Sequence, residues 1–383
     1  MSNFRLSVFV LSIALCCSVS NKLAAEEVLS ETLRTEYQPI QIEKISDGLE
    51  HPWSIAFLPD SDMLVTERAG ALYRINADGE RSVISGTPDA HVQSQGGLLE
   101  VLPHPEFTDN RLIYFTYSKA NGEDTATALA RGRLEDDQIV DLEDVFIQDR
   151  YSAPGRHYGS KLAWLPDGTL LMSIGDRGAE PPRAQDLDDH AGSLLRLNDD
   201  GSIPDDNPFV GRDDAKPEIW SYGHRNIQGL MAHPETGEIW ATEHGPRGGD
   251  ELNLIERGGN YGWPVVSRGR DYRTEEQFSD GARSHPDMID PVIDWTPSLA
   301  ASGLAVLVDD HFEAWQGNFL AGGLRAEQIR RVVFEHDEVV HEEELLRGHI
   351  GRIRDVRVGP DSNVYVITDH PEGALYRISP ANR

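Results

Sequence analysis

Leu58-Pro59-Asp60, then Met63-Leu64-Val65-Thr66-Glu67, then Gly70-Ala71-Leu72-Tyr73-Arg74-Ile75 is a run that returns along the chain. Near the other end Gly359-Pro360-Asp361 leads to Val364-Tyr365-Val366-Ile367-Thr368 and Gly373-Ala374-Leu375-Tyr376-Arg377-Ile378. Between them Leu165-Pro166-Asp167-Gly168 leads to Leu170-Leu171-Met172-Ser173-Ile174 and Gly192-Ser193-Leu194-Leu195-Arg196-Leu197. His233-Pro234-Glu235 before Glu238-Ile239-Trp240-Ala241-Thr242 is a weaker copy. Each copy reads turn, strand, loop, strand, with Pro, Asp and Gly setting the turn and β-branched and aromatic residues filling the strands. No long segment carries a 3.6-residue apolar stripe. The expected fold is therefore all-β, built from repeated antiparallel units. A propeller blade is such a unit, four strands in about 40–50 residues, and the chain has room for six. The likeness of the two end copies predicts that their blades are adjacent and close a ring. A large β-sandwich is the competing architecture, but it needs no repeated loop chemistry. The segments Glu135 to Asp149 and Arg268 to Asp287 read as insertions between strands, and no break in composition marks a second domain.

The chain has 383 residues, 39% hydrophobic and 26% charged, which is ordinary globular composition. Its 35 glycines and 22 prolines favour a turn-rich fold. The formal charge of -30 excludes a phosphate polymer or an anionic membrane surface as partner, since both need a basic footprint. The N-terminus reads as an export signal. Arg5 is followed by the uncharged run Leu6 to Val19, too short to span a bilayer, and Leu23-Ala24-Ala25 supplies the small residues of a cleavage site. The expected division is a signal peptide over 1–25, an extension over 26–44 and a propeller over 45–383. The destination is the periplasm or the exterior, with no membrane insertion after cleavage. Both cysteines, Cys16 and Cys17, fall in the signal, so disulfides and thiolate catalysis are absent from the expected mature chain. A lipoprotein anchor on one of them is the competing reading, disfavoured by Leu15 and Cys16 where a small residue should precede the modified one.

Several loops next to the repeated strands carry chemistry. Glu243-His244-Gly245-Pro246-Arg247-Gly248-Gly249-Asp250-Glu251 packs Gly and Pro densely among acids, so carbonyl oxygens can point at a hard cation such as calcium. A tight turn is the plain alternative. His157, in Gly155-Arg156-His157-Tyr158-Gly159, can accept a proton near neutral pH or lie idle in solvent. Asp176, ending Ser173-Ile174-Gly175-Asp176, can orient a histidine or close an Asx-turn. Gly223-His224-Arg225-Asn226-Ile227-Gln228-Gly229 can hold a planar polar ligand. Arg352 and Arg354 should share a strand face and repel unless an anion lies between them; Asp355 and Glu343 are the internal candidates. Zinc spacings, nucleophile elbows and phosphate or dinucleotide loops are absent.

With these loops assembled, the chain resembles the soluble aldose sugar dehydrogenases that use pyrroloquinoline quinone (PQQ), relatives of soluble quinoprotein glucose dehydrogenase. The matching text runs in order from about residue 45 to the C-terminus: Gln95-Gly96-Gly97-Leu98-Leu99, His157-Tyr158-Gly159, Ile174-Gly175-Asp176, Gly201-Ser202-Ile203-Pro204-Asp205-Asp206-Asn207-Pro208, the Arg225 loop, Glu243-His244-Gly245-Pro246, Gly258-Gly259-Asn260-Tyr261-Gly262-Trp263-Pro264 and Arg352-Ile353-Arg354-Asp355-Val356. The resemblance implies a six-bladed propeller that binds PQQ and Ca2+. It implies oxidation of aldoses at the anomeric carbon to lactones, with hydride passed to the quinone and electrons to an external acceptor. His157 matches the general base, Asp176 its carboxylate partner, and Arg225 stands in the catalytic group. Arg225, Asn226, Arg352 and Arg354 match cofactor contacts, Gln95 and Gln228 line the site, and Arg325 stands where the family often has Lys. The carbonyls of Gly245 and Pro246 match the calcium ligands. Asp250, Glu251, Tyr261 and Asp271 match a second calcium site. Ile227 replaces a family Pro. A non-catalytic propeller that binds sugars or a protein, and a metal-dependent propeller hydrolase, are the competing functions.

Overall fold

The computed structural model describes residues 30–153 and 155–381; the export-signal reading, with Cys16 and Cys17, lies outside the described residues. Six antiparallel sheets account for the chain. Blade one is Pro52–Phe57, Met63–Glu67, Leu72–Ile75 and Arg81–Ile84. Blade two is Leu98–Pro103, Leu112–Asn121, Asp124–Glu135 and Gln138–Ile147. Blade three is Leu162–Trp164, Leu170–Ile174, Ser193–Leu197 and Ile219–Tyr222. Blade four is Ile227–Ala232, Ile239–Glu243, Asp250–Ile255 and Ile293–Trp295. Blade five is Ala301–Val306, Phe319–Gly323, Gln328–Glu335 and Glu338–Leu345. Blade six combines Ile353–Val358, Val364–Thr368 and Gly373–Pro380 with Ile40–Leu49 and Ser30–Leu33 from the other end of the chain. The first strand of each blade is innermost, and these six neighbour one another around a central channel.

The second strands, such as Leu170–Ile174 and Val364–Thr368, are buried along their whole length. A blade is covered on both faces by its neighbours, so its strands are continuous apolar runs. The cores lie between blades: Ile55, Met63 and Val65 of blade one pack on Tyr365, Ile367 and Leu375 of blade six. The two end copies are therefore adjacent, as their likeness predicts. The ring is closed by Ile40–Leu49 pairing with Gly373–Pro380, Ile42 opposite Ile378. That strand crosses residue 45, so the sheet takes in part of the segment read as an extension.

One expectation needs correction. The segment Glu135 to Asp149 is no insertion, because Gln138–Ile147 is the outermost strand of blade two, Ile139 opposite Leu134. Its acids face water along an edge, where charge guards against stray strand pairing. Arg268 to Asp287 is irregular apart from the short turn Phe278–Gly281, and it does intervene between two strands of blade four.

Candidate active site

The Leu-Pro-Asp turns join first to second strands and lie at one end of the channel. At the other end the chain enters each innermost strand and leaves each second strand. His157, Arg225, Arg352 and Gln95 precede innermost strands, while Asp176, His244, Asp369 and Arg68 follow second strands. Together they border a cleft with two halves. Arg68, Trp53, Asn226, Gln228, Arg352, Arg354 and Asp369 line the central half, and His157, Asp176, Arg225, Trp263 and Phe278 the outer half. Gln95 and His244 line both.

In the outer half His157 Nδ1 lies 2.6 Å from Asp176 Oδ1. The carboxylate also accepts the Gly178 N–H at 2.8 Å and the Trp263 indole N–H at 2.7 Å. Burial alone would raise the Asp176 pKa; His157, Arg225 and Trp263 outweigh it and hold the group below the usual carboxylate range. An ionised carboxylate at Nδ1 places the ring proton there and leaves Nε2 as an acceptor. Burial, then the Arg225 charge, push the His157 pKa down against the pull of Asp176, so the imidazole is neutral at neutral pH. Arg225 donates to the His244 carbonyl at 3.0 Å and lies 5.3 Å over the Trp263 ring.

In the central half the amides tie the loops together. Gln95 Oε1 accepts the His157 N–H at 2.8 Å, Asn226 Oδ1 the Gly159 N–H at 3.0 Å, and Gln228 donates to the Gly159 carbonyl at 2.9 Å. Arg352 and Arg354 both reach Asp369 Oδ2, at 3.2 and 3.1 Å. This corrects the two internal candidates: Asp355 pairs with Lys161 and Arg357, and Glu343 with Arg331. Burial raises the Asp369 pKa, but Arg354, His51 and Arg352 together hold it well below its ordinary value. Arg325 is exposed; among the described residues its one hydrogen bond is its backbone N–H to the Leu299 carbonyl at 2.9 Å, and it is not among the residues lining the cleft. Ile227, where the family Pro was noted, opens the innermost strand of blade four and is buried.

The 245–249 loop is coiled so tightly that a Cβ on Gly245 would sit 2.1 Å from the Gly249 oxygen and 2.3 Å from the Gly248 oxygen. Among the described residues no hydrogen bond ends on the carbonyls of Gly245 or Pro246. Both residues line a small cavity with Glu243, Glu251 and Tyr261. Glu243 and Glu251 face each other across paired strands. Burial and the Glu243 charge push Glu251 well above the usual carboxylate range, and burial lifts Glu243 too. Two facing acids with free carbonyls beside them fit a hard cation. Among the described residues no group of three or more His, Cys, Asp or Glu gathers to hold a metal, so carbonyl oxygens must supply much of any shell. Asp250 is spent elsewhere: it accepts the Gly245 N–H at 3.0 Å, the Ser298 hydroxyl at 2.7 Å and the Ala301 N–H at 3.3 Å. Asp271 borders the outer cleft, where it accepts the N–H groups of Arg273 and Thr274, and is not brought to Glu251.

The cleft also fits an anionic, hydrogen-bonding ligand. His244 Nε2 is buried with no hydrogen-bond partner among the described residues, and burial with Arg225 and Arg354 pushes this histidine down to about 3, so it stays neutral. Arg68, His244, Trp263, Asp369 and Glu243 are cleft or cavity residues that sequence reasoning did not assign. Trp263 and His244 sat inside the quoted motifs, and Arg68, His244 and Asp369 each stand directly after a second strand.

The family description of glucose/sorbosone dehydrogenases matches residues 49–377. Aldose sugar dehydrogenase YliI of Escherichia coli (strain K12) is 40% identical over 359 residues, covering 92% of this chain and 96% of that protein. The apo-form crystal structure of the soluble aldose sugar dehydrogenase from Escherichia coli has a TM-score of 0.86 at 39% identity, covering 89% of this chain and 100% of that one. The PQQ-bound aldose sugar dehydrogenase from Streptomyces coelicolor has a TM-score of 0.72 at 25% identity, covering 92% and 98%. By sequence and by fold, this chain belongs to the glucose/sorbosone dehydrogenase family.

Proposed function

We propose that this protein oxidises aldoses at the anomeric carbon to lactones, using PQQ held by calcium, and passes the electrons to an external acceptor. One observation carries the reading above the others. A neutral histidine hydrogen-bonded at 2.6 Å to a buried, ionised aspartate opens onto the same cleft as an arginine cluster. Bound there, PQQ would supply the hydride acceptor, made more electrophilic by calcium. The carbonyls of Gly245 and Pro246 would hold that calcium. Arg352, Arg354, Asn226, Gln228 and Gln95 would hold the cofactor. Nε2 of His157 takes the proton of the anomeric hydroxyl while its Nδ1–H stays on Asp176, so the imidazolium that forms lies against a carboxylate. Arg225 sets a positive charge beside the reacting oxygens. Glu251 and Tyr261, with Glu243, are the candidates for a second cation, and Asp250 supports Gly245 from behind. The N-terminal signal pattern and the acidic composition support a periplasmic or secreted enzyme; among the described residues no helix is long and apolar enough to cross a membrane.

The test is reconstitution of the apo-protein with calcium and PQQ, assayed by dye reduction with a panel of aldoses. Activity should need both additions and vanish on chelation, and His157→Ala should lower turnover about 10²–10⁴-fold with cofactor affinity retained. Full activity in chelator, or with a nicotinamide cofactor alone, would sink the reading.

A further inference from the structure

Arg68 stands directly after Met63–Glu67, the second strand of blade one, and borders the central half of the cleft with Arg352 and Arg354. Its backbone is fixed on both sides. Its N–H donates to the His51 carbonyl at 3.2 Å, and its own carbonyl accepts the Leu98 N–H at 3.0 Å. Gly97 makes room for it: a Cβ there would lie 2.0 Å from the Arg68 oxygen and 2.6 Å from its Cγ. The side chain is half-buried, yet among the described residues no carboxylate comes within ion-pair reach of its guanidinium. Three arginines thus face one carboxylate, Asp369, which Arg352 and Arg354 already share. The Arg68 charge is felt at Arg354: burial lowers that group's pKa, Asp369 opposes it, and Arg352 and Arg68 add to the lowering. Such an excess of positive charge in a half-buried site is unfavourable until an anion arrives.

Position 325 is the other half of the observation. Arg325 stands two residues past the second strand of blade five, whereas Arg68 directly follows that of blade one; it is exposed and does not line the cleft, where its neighbour Leu324 does. We infer that Arg68, from blade one on the far side of blade six, supplies the carboxylate contact on the cofactor that the family resemblance would give to Arg325. The inference rests on the central half of the cleft being the PQQ seat. Its chemistry is a bidentate fork on a planar carboxylate, which suits a rigid polycarboxylate better than a flexible one.

The experiment measures PQQ affinity in calcium by quenching of tryptophan fluorescence, with the melting temperature of each apo-protein recorded beside it. Arg68→Ala should weaken binding about 10- to 100-fold, Arg68→Lys should recover part of the loss, and Arg325→Ala should leave affinity unchanged. Apo melting temperatures should stay level, since among the described residues Arg68 holds no ion-pair partner; Arg68→Gln, which keeps the stem packed on Gly97, guards against a packing effect. Unchanged affinity in Arg68→Ala and Arg68→Gln, or a loss in Arg325→Ala, would overturn the inference while leaving the proposed function standing. A wild-type protein that binds no PQQ would remove both.

Discussion

Two clusters of charge meet in the same channel, and they are built on opposite plans. In the first, Lys161 lies 2.7 Å from Glu100 and 3.1 Å from Asp355, and Arg357 pairs with Asp355 at 3.0 Å and also with Glu100. The Ile55 N–H closes the remaining valence on Asp355 at 3.2 Å, and the Lys161 ammonium lies 4.9 Å over the Trp53 ring. Two cations answer two anions. In the second cluster, among the described residues, Asp369 is the one carboxylate that pairs with Arg352 and Arg354, and it is shared with His51, while Arg68 has none. One strand, Ile353–Val358, feeds both: it sends Asp355 and Arg357 into the balanced cluster and Arg354 into the unbalanced one, helped by a register shift between Ile353 and Asp355. Burying charge is costly unless it is matched. The matched cluster is balanced within itself; the unmatched one leaves positive charge over, which the proposed cofactor would answer. Two arginines on one strand face are therefore read wrongly without the count of acids around them.

The contrast can be broken by mutation. The largest effect should come from the balanced cluster. Asp355→Ala would leave Lys161 and Arg357 with Glu100 alone, and apo stability should fall by about 3–5 kcal/mol in a denaturant titration. An unchanged midpoint would show that the cluster is not architectural. Next is Arg354→Ala, where PQQ affinity should drop by about 1.5–3 kcal/mol with little change in apo stability, because an arginine is removed from a site that already has too many. A large melting shift with unchanged affinity would place Arg354 with the structural residues. The smallest effect concerns acid. The Asp369 pKa is depressed in the folded protein, so the stability it contributes is present above the unfolded carboxylate value near about 4 and is lost as pH falls below it. Asp369→Asn should flatten the pH dependence of apo melting below about pH 4 and leave it unaltered near neutrality. A mutant curve parallel to wild type down to low pH would mean that the arginines do not lean on Asp369.

The two ends of the propeller differ in how much of them could be read from sequence. The turn end repeats its chemistry, and Leu58 N–H to Asp62 O at 2.8 Å with Ser61 N–H to Leu58 O at 2.9 Å shows why Leu-Pro-Asp recurs there. The closing strand Ile40–Leu49 was invisible as such because its partner stands at the other end of the chain. The outer strand Gln138–Ile147 was mistaken because only one of its faces has anything apolar to meet. At the cleft end the repeat is in position and not in residue type: Arg68, His244 and Asp369 follow the second strands of blades one, four and six, and each carries a different charge. Alignment of the copies by strand would have singled them out. It would not have told that Arg68 turns inward and Arg325 outward. The contact of His157 with Asp176 was legible through resemblance, whereas the third hydrogen bond on that carboxylate, from Trp263, depends on a loop of another blade. Asp250 and Asp271 were assigned through resemblance alone; in the fold the first accepts two backbone N–H groups and the Ser298 hydroxyl and the second the N–H groups of its own turn, partners that no spacing in the sequence announces.

The clasp between Ile40–Leu49 and Gly373–Pro380 also sets a timetable. Five of the six sheets are made of strands that follow one another, and each can assemble as it is synthesised. The sixth cannot. Its N-terminal strands are translated first and must wait, apolar residues Ile40 and Ile42 included, until nearly the whole chain exists and Ile378 arrives to face Ile42. Such a long-range pairing is the slow kind, since the loop must close before any contact rewards it. Arg354 lies in that late sheet, with Arg352 and Asp369 at the ends of its strands, so this side of the cleft is among the last parts of the molecule to take shape.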